Sequence, residues 1–145
     1  MKKMYPFLTI LSVALLLALS ACSSNSRGLS GTSWKLISYG PADSQTPAAP
    51  GVETSLTFRT DGKLSGHLGC NSMGGDYSTS GQNITLGAVF STEMACPDPQ
   101  MTQEGVAFQV LKSNDTVGFK LDGNTLTITS SDGKNALIFT AIAGK

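Results

Sequence analysis

The chain has 145 residues, ten basic and ten acidic side chains, one His, one Trp and three Cys. That length holds one domain rather than two. Balanced charge leaves no basic footprint for nucleic acid, and a single His excludes a multi-His metal site within one chain. No metal and no cofactor are expected.

The first segment reads as an address. Lys2 and Lys3 form a positive flank, and Phe7 to Leu19 is an apolar run of 13 residues broken only by Thr9 and Ser12. A helix crossing a bilayer needs roughly 20 apolar residues, so this run fits a secretory signal core better than a permanent span. Leu19-Ser20-Ala21-Cys22 follows it. Those four residues resemble a bacterial lipobox. The resemblance implies cleavage before Cys22, a diacylglycerol on its sulfur and acylation of its new amine. An ordinary signal peptide followed by a chance Cys is the alternative. On the lipobox reading, residues 1–21 are the signal peptide, 22–30 are the lipidated Cys with a flexible polar tether, and 31–145 are the domain. Cleavage removes two lysines and leaves eight basic against ten acidic groups. Ser23 follows Cys22 where an Asp would signal retention. By resemblance to enterobacterial sorting, the destination is the outer membrane, facing the periplasm.

Cys70 and Cys96 then remain. In an oxidising compartment two leftover thiols point to a disulfide, worth about 3.5 kcal/mol in the chain-entropy model. Free buried thiols are one alternative. A catalytic thiol is another, because His67 lies three residues before Cys70 and a nucleophile needs a base.

From Ser33 onward the dominant period is two. Trp34-Lys35-Leu36 begins a strand. Leu56 and Phe58 alternate, Asp61-Gly62 turns the chain, and Leu64, Gly66 and Leu68 alternate again. That phase points His67 outward. Tyr77–Thr79 and Asn83–Leu86 flank a turn at Ser80-Gly81-Gln82. Val117, Phe119 and Leu121, then Leu126 and Ile128, then Leu137, Phe139 and Ala141 make a meander with turns at Gly123 and Gly133. Pro41 to Gly51 has no period and reads as a loop. Asp98 and Pro99 open a helix over Gln100–Leu111, with Asp98 as the cap and Pro99 at the first position. Met101, Glu104, Phe108 and Leu111 form its predicted inward face, with Val106 and Val110 beside it. Seven or eight short strands and one helix predict a mainly β fold. The expected architecture is a small antiparallel barrel with the helix plugging or packing on one end.

One constellation spans this whole body. Gly31-Thr32-Ser33-Trp34-Lys35-Leu36 is followed by Gly69-Cys70-Asn71 and Gly74-Gly75-Asp76-Tyr77. Thr92-Glu93-Met94-Ala95-Cys96 and Glu104…Phe108…Leu111 complete it. Together these resemble the META domain family of HslJ-like bacterial lipoproteins. Trp34, Gly69, Cys70, Asn71, Gly75, Tyr77, Met94, Ala95 and Cys96 are the residues that carry the motif. The resemblance implies an antiparallel barrel with one helix and no established enzymatic activity. It also implies loose links to heat shock, novobiocin resistance, and secretion or motility.

The motif residues admit two physical readings. Asn71 is either a buried residue stapling a turn or a polar group at a ligand mouth. Trp34 is a core anchor or a ligand platform. Gly74-Gly75 lets the backbone pass closely or reverse. No catalytic set emerges: there is no nucleophile elbow, no phosphate loop and no nameable carboxylate pair. The favoured function is a non-catalytic envelope lipoprotein that binds a protein partner, with its anchor in the membrane at Cys22. The alternative is a carrier of an apolar ligand or lipid tail, lined by Phe58, Phe90, Phe108 and Phe119. A hydrolase using His67 or Cys70 is the third.

Overall fold

The structure is a computed structural model that describes residues 28–143. The signal segment, Cys22 and the tether up to Arg27 lie outside the described residues.

Nine strands and one helix follow one another: β1 (Thr32–Pro41), β2 (Thr46–Pro47), β3 (Ser55–Phe58), β4 (Lys63–His67), β5 (Ser72–Ser80), β6 (Asn83–Ser91), α1 (Gln100–Val110), β7 (Thr116–Asp122), β8 (Thr125–Thr129) and β9 (Asn135–Ala141). All pairings are antiparallel, in the order β2-β1-β3-β4-β5-β6-β7-β8-β9. A further pairing of β1 with β9, from Trp34↔Ala141 to Pro41↔Asn135, closes eight strands into a barrel. Closure leaves those strands without a free edge for another chain. β2 stands outside the eight and pairs with Ser38 and Tyr39 of β1, beyond the stretch that β3 covers.

Alternation explains the interior. Leu36, Leu56, Phe58, Leu64, Ile84, Leu86, Leu126, Ile128, Leu137 and Phe139 are buried, while most of their strand neighbours are more exposed. The Phe58 ring meets Tyr77 edge-on at 5.0 Å between centroids. Two-residue turns close the hairpins at Gly81-Gln82 and Gly123-Asn124, where both glycines take positive φ that a side chain would resist. A bulge in β1 between Leu36 and Ser38 shifts the alternation by one, leaving Ile37 outward and bringing Tyr39 into the core.

Four expectations need correction. The tether does not run to Ser30: Leu29 is only 1% exposed and belongs to the core. Pro41–Gly51 is not wholly loop, since Pro41 ends β1 and Thr46-Pro47 forms β2. Of the two readings of Gly74-Gly75, reversal fails because both glycines lie inside β5, and close passage holds. The fourth concerns α1. Pro99, after a cis peptide bond from Asp98, is the cap residue rather than the first helical one. Asp98 still serves the helix end, accepting from the Thr102 amide at 3.1 Å and its hydroxyl at 2.8 Å. The inward face of α1 is Gln103, Glu104, Ala107 and Val110, followed by Leu111. Met101 is exposed and Phe108 half-buried. Glu104 and Leu111 face inward as predicted, while Gln103 replaces Met101 because the backbone beneath the helix needs hydrogen bonds.

Candidate functional site: the capped end of the barrel

The motif residues gather where α1 sits on the barrel. β4 ends at His67, and Leu68 to Asn71 carry the chain across to β5. This crossing has no sheet partner, so its amides need other acceptors. Gly69 lies against the helix. A Cβ there would stand 2.6 Å from both the Gln100 carbonyl oxygen and Glu104 Cβ, so only Gly permits this approach.

Glu104 then reaches the crossing from above. Its Oε2 accepts from the Cys70 amide at 2.7 Å and from the Asn71 amide, and its Oε1 accepts from Asn71 Nδ2 at 2.7 Å. Asn71 Nδ2 also donates to the Met94 carbonyl at 3.1 Å. Asn71 Oδ1 accepts from the Met94 amide at 2.7 Å and from the Thr92 hydroxyl at 2.8 Å. Asn71 and Glu104 are both buried. A buried carboxylate is tolerated when several donors converge on it, as they do here.

Gln103 adds a second clasp. It donates from Nε2 to the Leu68 carbonyl at 2.6 Å and accepts at Oε1 from the Ala49 amide at 2.7 Å. The long connection after β1 is thereby pinned to the helix. Cys70 and Cys96 are joined by a disulfide, with 5.8 Å between their Cα atoms. The bridge ties the segment after β6 to the same crossing that Asn71 and Glu104 hold.

The geometry favours the stapling reading of Asn71, since all its amide capacity is spent within the domain. Trp34 is a core residue whose Nε1 donates to Thr32 Oγ1 at 2.7 Å. Tyr77 donates its hydroxyl to the Arg59 carbonyl at 2.8 Å, at the opposite end of the barrel. Gly75 lies in β5, where a Cβ would stand 2.8 Å from the Ala88 carbonyl oxygen. Ala95 is exposed, as is Met94 at 57%. His67 occupies the outward phase of β4 and is partly exposed. Among the described residues, no three of His, Cys, Asp and Glu are grouped to hold a metal ion.

The four phenylalanines do not converge on one cavity. Phe58 is in the core, Phe108 and Phe119 are half-buried, and Phe90 is 69% exposed with its ring over Gly74. The core side chains pack against one another within the barrel, and space open to an apolar ligand lies at the rim opposite α1. A groove of about 990 Å³ opens there, between the segment Gly28–Trp34, the hairpin tips at Gly81 and Gly123, and the end of β9.

Beside the cap, two exposed carboxylates link neighbouring loops. A hydrogen bond from the Ser131 hydroxyl, then one from the Thr116 amide, hold the Asp115 carboxyl below its ordinary range. The Ser130 hydroxyl and the Lys134 amide do the same for Asp132.

Sequence reasoning pointed to Asn71, Cys70 and Cys96 but not to Gln103 or to the role of Glu104. A Gln-Glu pair in helical phase with Ala107 and Val110 is the signal that could have found them.

Comparison with known proteins agrees with this architecture. The family described as META domain matches residues 27–142. A protein from Burkholderia xenovorans, solved by NMR, is similar at 26% identity and a TM-score of 0.66, covering 80% of this chain and 85% of its own. A second NMR structure is 20% identical with a TM-score of 0.58, covering 75% of this chain and 87% of its own. A crystal structure of a DUF4847 family protein from Bacteroides vulgatus shares the fold at 12% identity and a TM-score of 0.53, covering 79% of this chain and 95% of its own. No curated protein matches the chain.

Proposed function

The chain belongs to the META domain family, and on that footing we propose that it is a non-catalytic envelope lipoprotein whose domain binds a protein partner. One observation carries this reading: the reactive and polar motif groups are engaged inside the domain. Asn71 and Glu104 satisfy each other and three backbone amides. Cys70 and Cys96 are bonded to each other, and a disulfide sulfur is no nucleophilic thiol. What such a domain offers outward is surface. Phe90 is exposed near the end of β6, Met94 on the chain leading from β6 towards α1, and Met101 on the helix. Large apolar groups left in water at one end suit a protein contact. The lipobox residues Leu19 to Cys22 support anchorage in the outer membrane, facing the periplasm. The family's links to heat shock and novobiocin make stressed cells the place to search.

Proximity labelling from the anchored chain tests the reading. A protein enriched above a control carrying only the lipid anchor and tether is expected. Its loss on Met94→Glu would place the contact at the capped end. Equal labelling in both samples would remove the binding-module reading. Separately, Cys22→Ala should leave the protein unprocessed or unanchored. A Cys22→Ala protein still fractionating with the outer membrane would remove the lipoprotein reading.

A further inference from the structure

Strand direction gives the barrel two unlike ends. α1, the Leu68–Asn71 crossing and the β8–β9 turn lie at one. The segment from Gly28, the tips at Gly81 and Gly123, and the exit of β9 lie at the other, around the groove. Among the described residues, none that lines the groove is charged. Leu29, Trp34, Phe119, Leu121 and Ile142 give it apolar walls, and Ile142 is 42% exposed at its lip.

We infer that this groove end is the membrane-facing surface of the domain, seated on the phospholipid interface of the bilayer that holds Cys22. The inference rests on the lipid-anchor reading above. Gly28 lines the groove and follows Cys22 by six positions. Six residues extend at most about 20 Å. The ten residues of β1, at about 3.3 Å each and a barrel tilt near 40°, give about 25 Å of height. A helix across the far end adds about 10 Å. A domain resting on α1 would therefore hold Gly28 more than about 30 Å above the bilayer, beyond the reach of its own tether. The tether keeps the groove end down. An uncharged lip with an exposed Ile suits the boundary between headgroups and acyl chains, where charged side chains resist dehydration. The same orientation turns the capped end, with Met94 and Met101, away from the membrane.

Trp34 is the chain's one tryptophan and lies in the groove wall, so its fluorescence reports the contact. The full chain is purified from membranes, its mass is measured, and it is reconstituted into phosphatidylethanolamine–phosphatidylglycerol vesicles. Lipids brominated near the headgroup end of their acyl chains serve as quencher. Trp34 emission should fall roughly twofold against unbrominated vesicles, and Ile142→Glu should reduce that fall. In Trp34→Phe/Met101→Trp, which carries its reporter on α1, emission should stay unchanged. If that double variant fails to fold by circular dichroism, the Ile142→Glu comparison decides. An acylated chain whose Trp34 is not quenched overturns the inference and leaves the anchor reading standing. So does quenching at position 101 equal to that at 34, or an unquenched Trp34 in a crosslinked dimer whose second copy covers the groove. A mass showing unmodified Cys22 overturns the anchor reading, and the orientation falls with it.

Discussion

Asn71 and Glu104 meet beneath α1, with Asn71 Nδ2 donating to Glu104 Oε1 at 2.7 Å. Each also holds backbone that the other does not reach. Glu104 takes the amides of residues 70 and 71, and Asn71 takes both backbone groups of Met94. Helix, crossing and the segment before Cys96 thus form one bonded unit.

Removing the carboxylate should loosen that unit. Glu104→Ala leaves three buried donors without their acceptor and should lower the unfolding free energy by about 3 kcal/mol. Glu104→Gln keeps an acceptor oxygen but points an N–H₂ at other donors, and should lose about half as much. Urea titration at neutral pH measures both. Wild-type stability in Glu104→Ala would mean that water replaces the carboxylate without cost.

The disulfide should act on the unfolded chain. The bridged cysteines are 26 positions apart, so reduction should lower stability by about 3.5 kcal/mol. The β-sheet circular dichroism should persist in the reduced protein, because the bridge lies outside the barrel's hydrogen-bond ladder. Collapse of that signal on adding dithiothreitol would show that the sheet depends on the bridge.

Two glycines should respond differently to one methyl group. At Gly69 a Cβ meets a helix carbonyl at 2.6 Å, so Gly69→Ala must displace α1 and should cost about 3 kcal/mol. At Gly74 the 2.6 Å neighbour is the Phe90 ring, which is exposed and free to swing away. Gly74→Ala should cost less than about 1 kcal/mol. Thermal unfolding of the pair orders them, and a larger loss at Gly74 would contradict the assigned contacts.

Acid should weaken the loops beside the cap. Asp115 and Asp132 have folded-state pKa values below their ordinary ones, through the hydroxyls of Ser131 and Ser130. A depressed carboxyl contributes stability that is complete above the unfolded pKa and is lost as pH falls through the folded one. The loss should therefore begin below about pH 4. Asp132→Asn should flatten that slope in urea titrations between neutral and acid pH. A slope unchanged in Asp132→Asn would assign the acid response to other carboxyls.

The sheet was legible because its strands are half-buried, and half-burial writes itself as alternation. Leu64, Gly66 and Leu68 set a phase that also placed His67 outward. β2 was not legible, since two residues carry no period and Pro47 argues against a strand. The helix was legible as a helix, but its inward face only in part: Glu104 and Leu111 are buried as expected, and Met101 is exposed. A search for apolar periodicity selects Met101 and passes over Gln103, whereas burial here follows hydrogen bonding. Asn71 could be read as a staple from its own chemistry. Its partner Glu104 lies 33 positions away, and no local pattern joins them.

The pairing of β1 with β9 sets an order of events. Trp34 pairs with Leu56 on one side, and on the other finds its partner only when Ala141 is present. A chain exported from its N-terminus exposes β1 first and must carry that strand unpaired on this edge until nearly the last residue has crossed. Contacts of this kind, remote in sequence, slow folding. On the proposed export route the barrel would close after translocation rather than during it, and whatever guards the nascent chain would have to guard it for the whole passage.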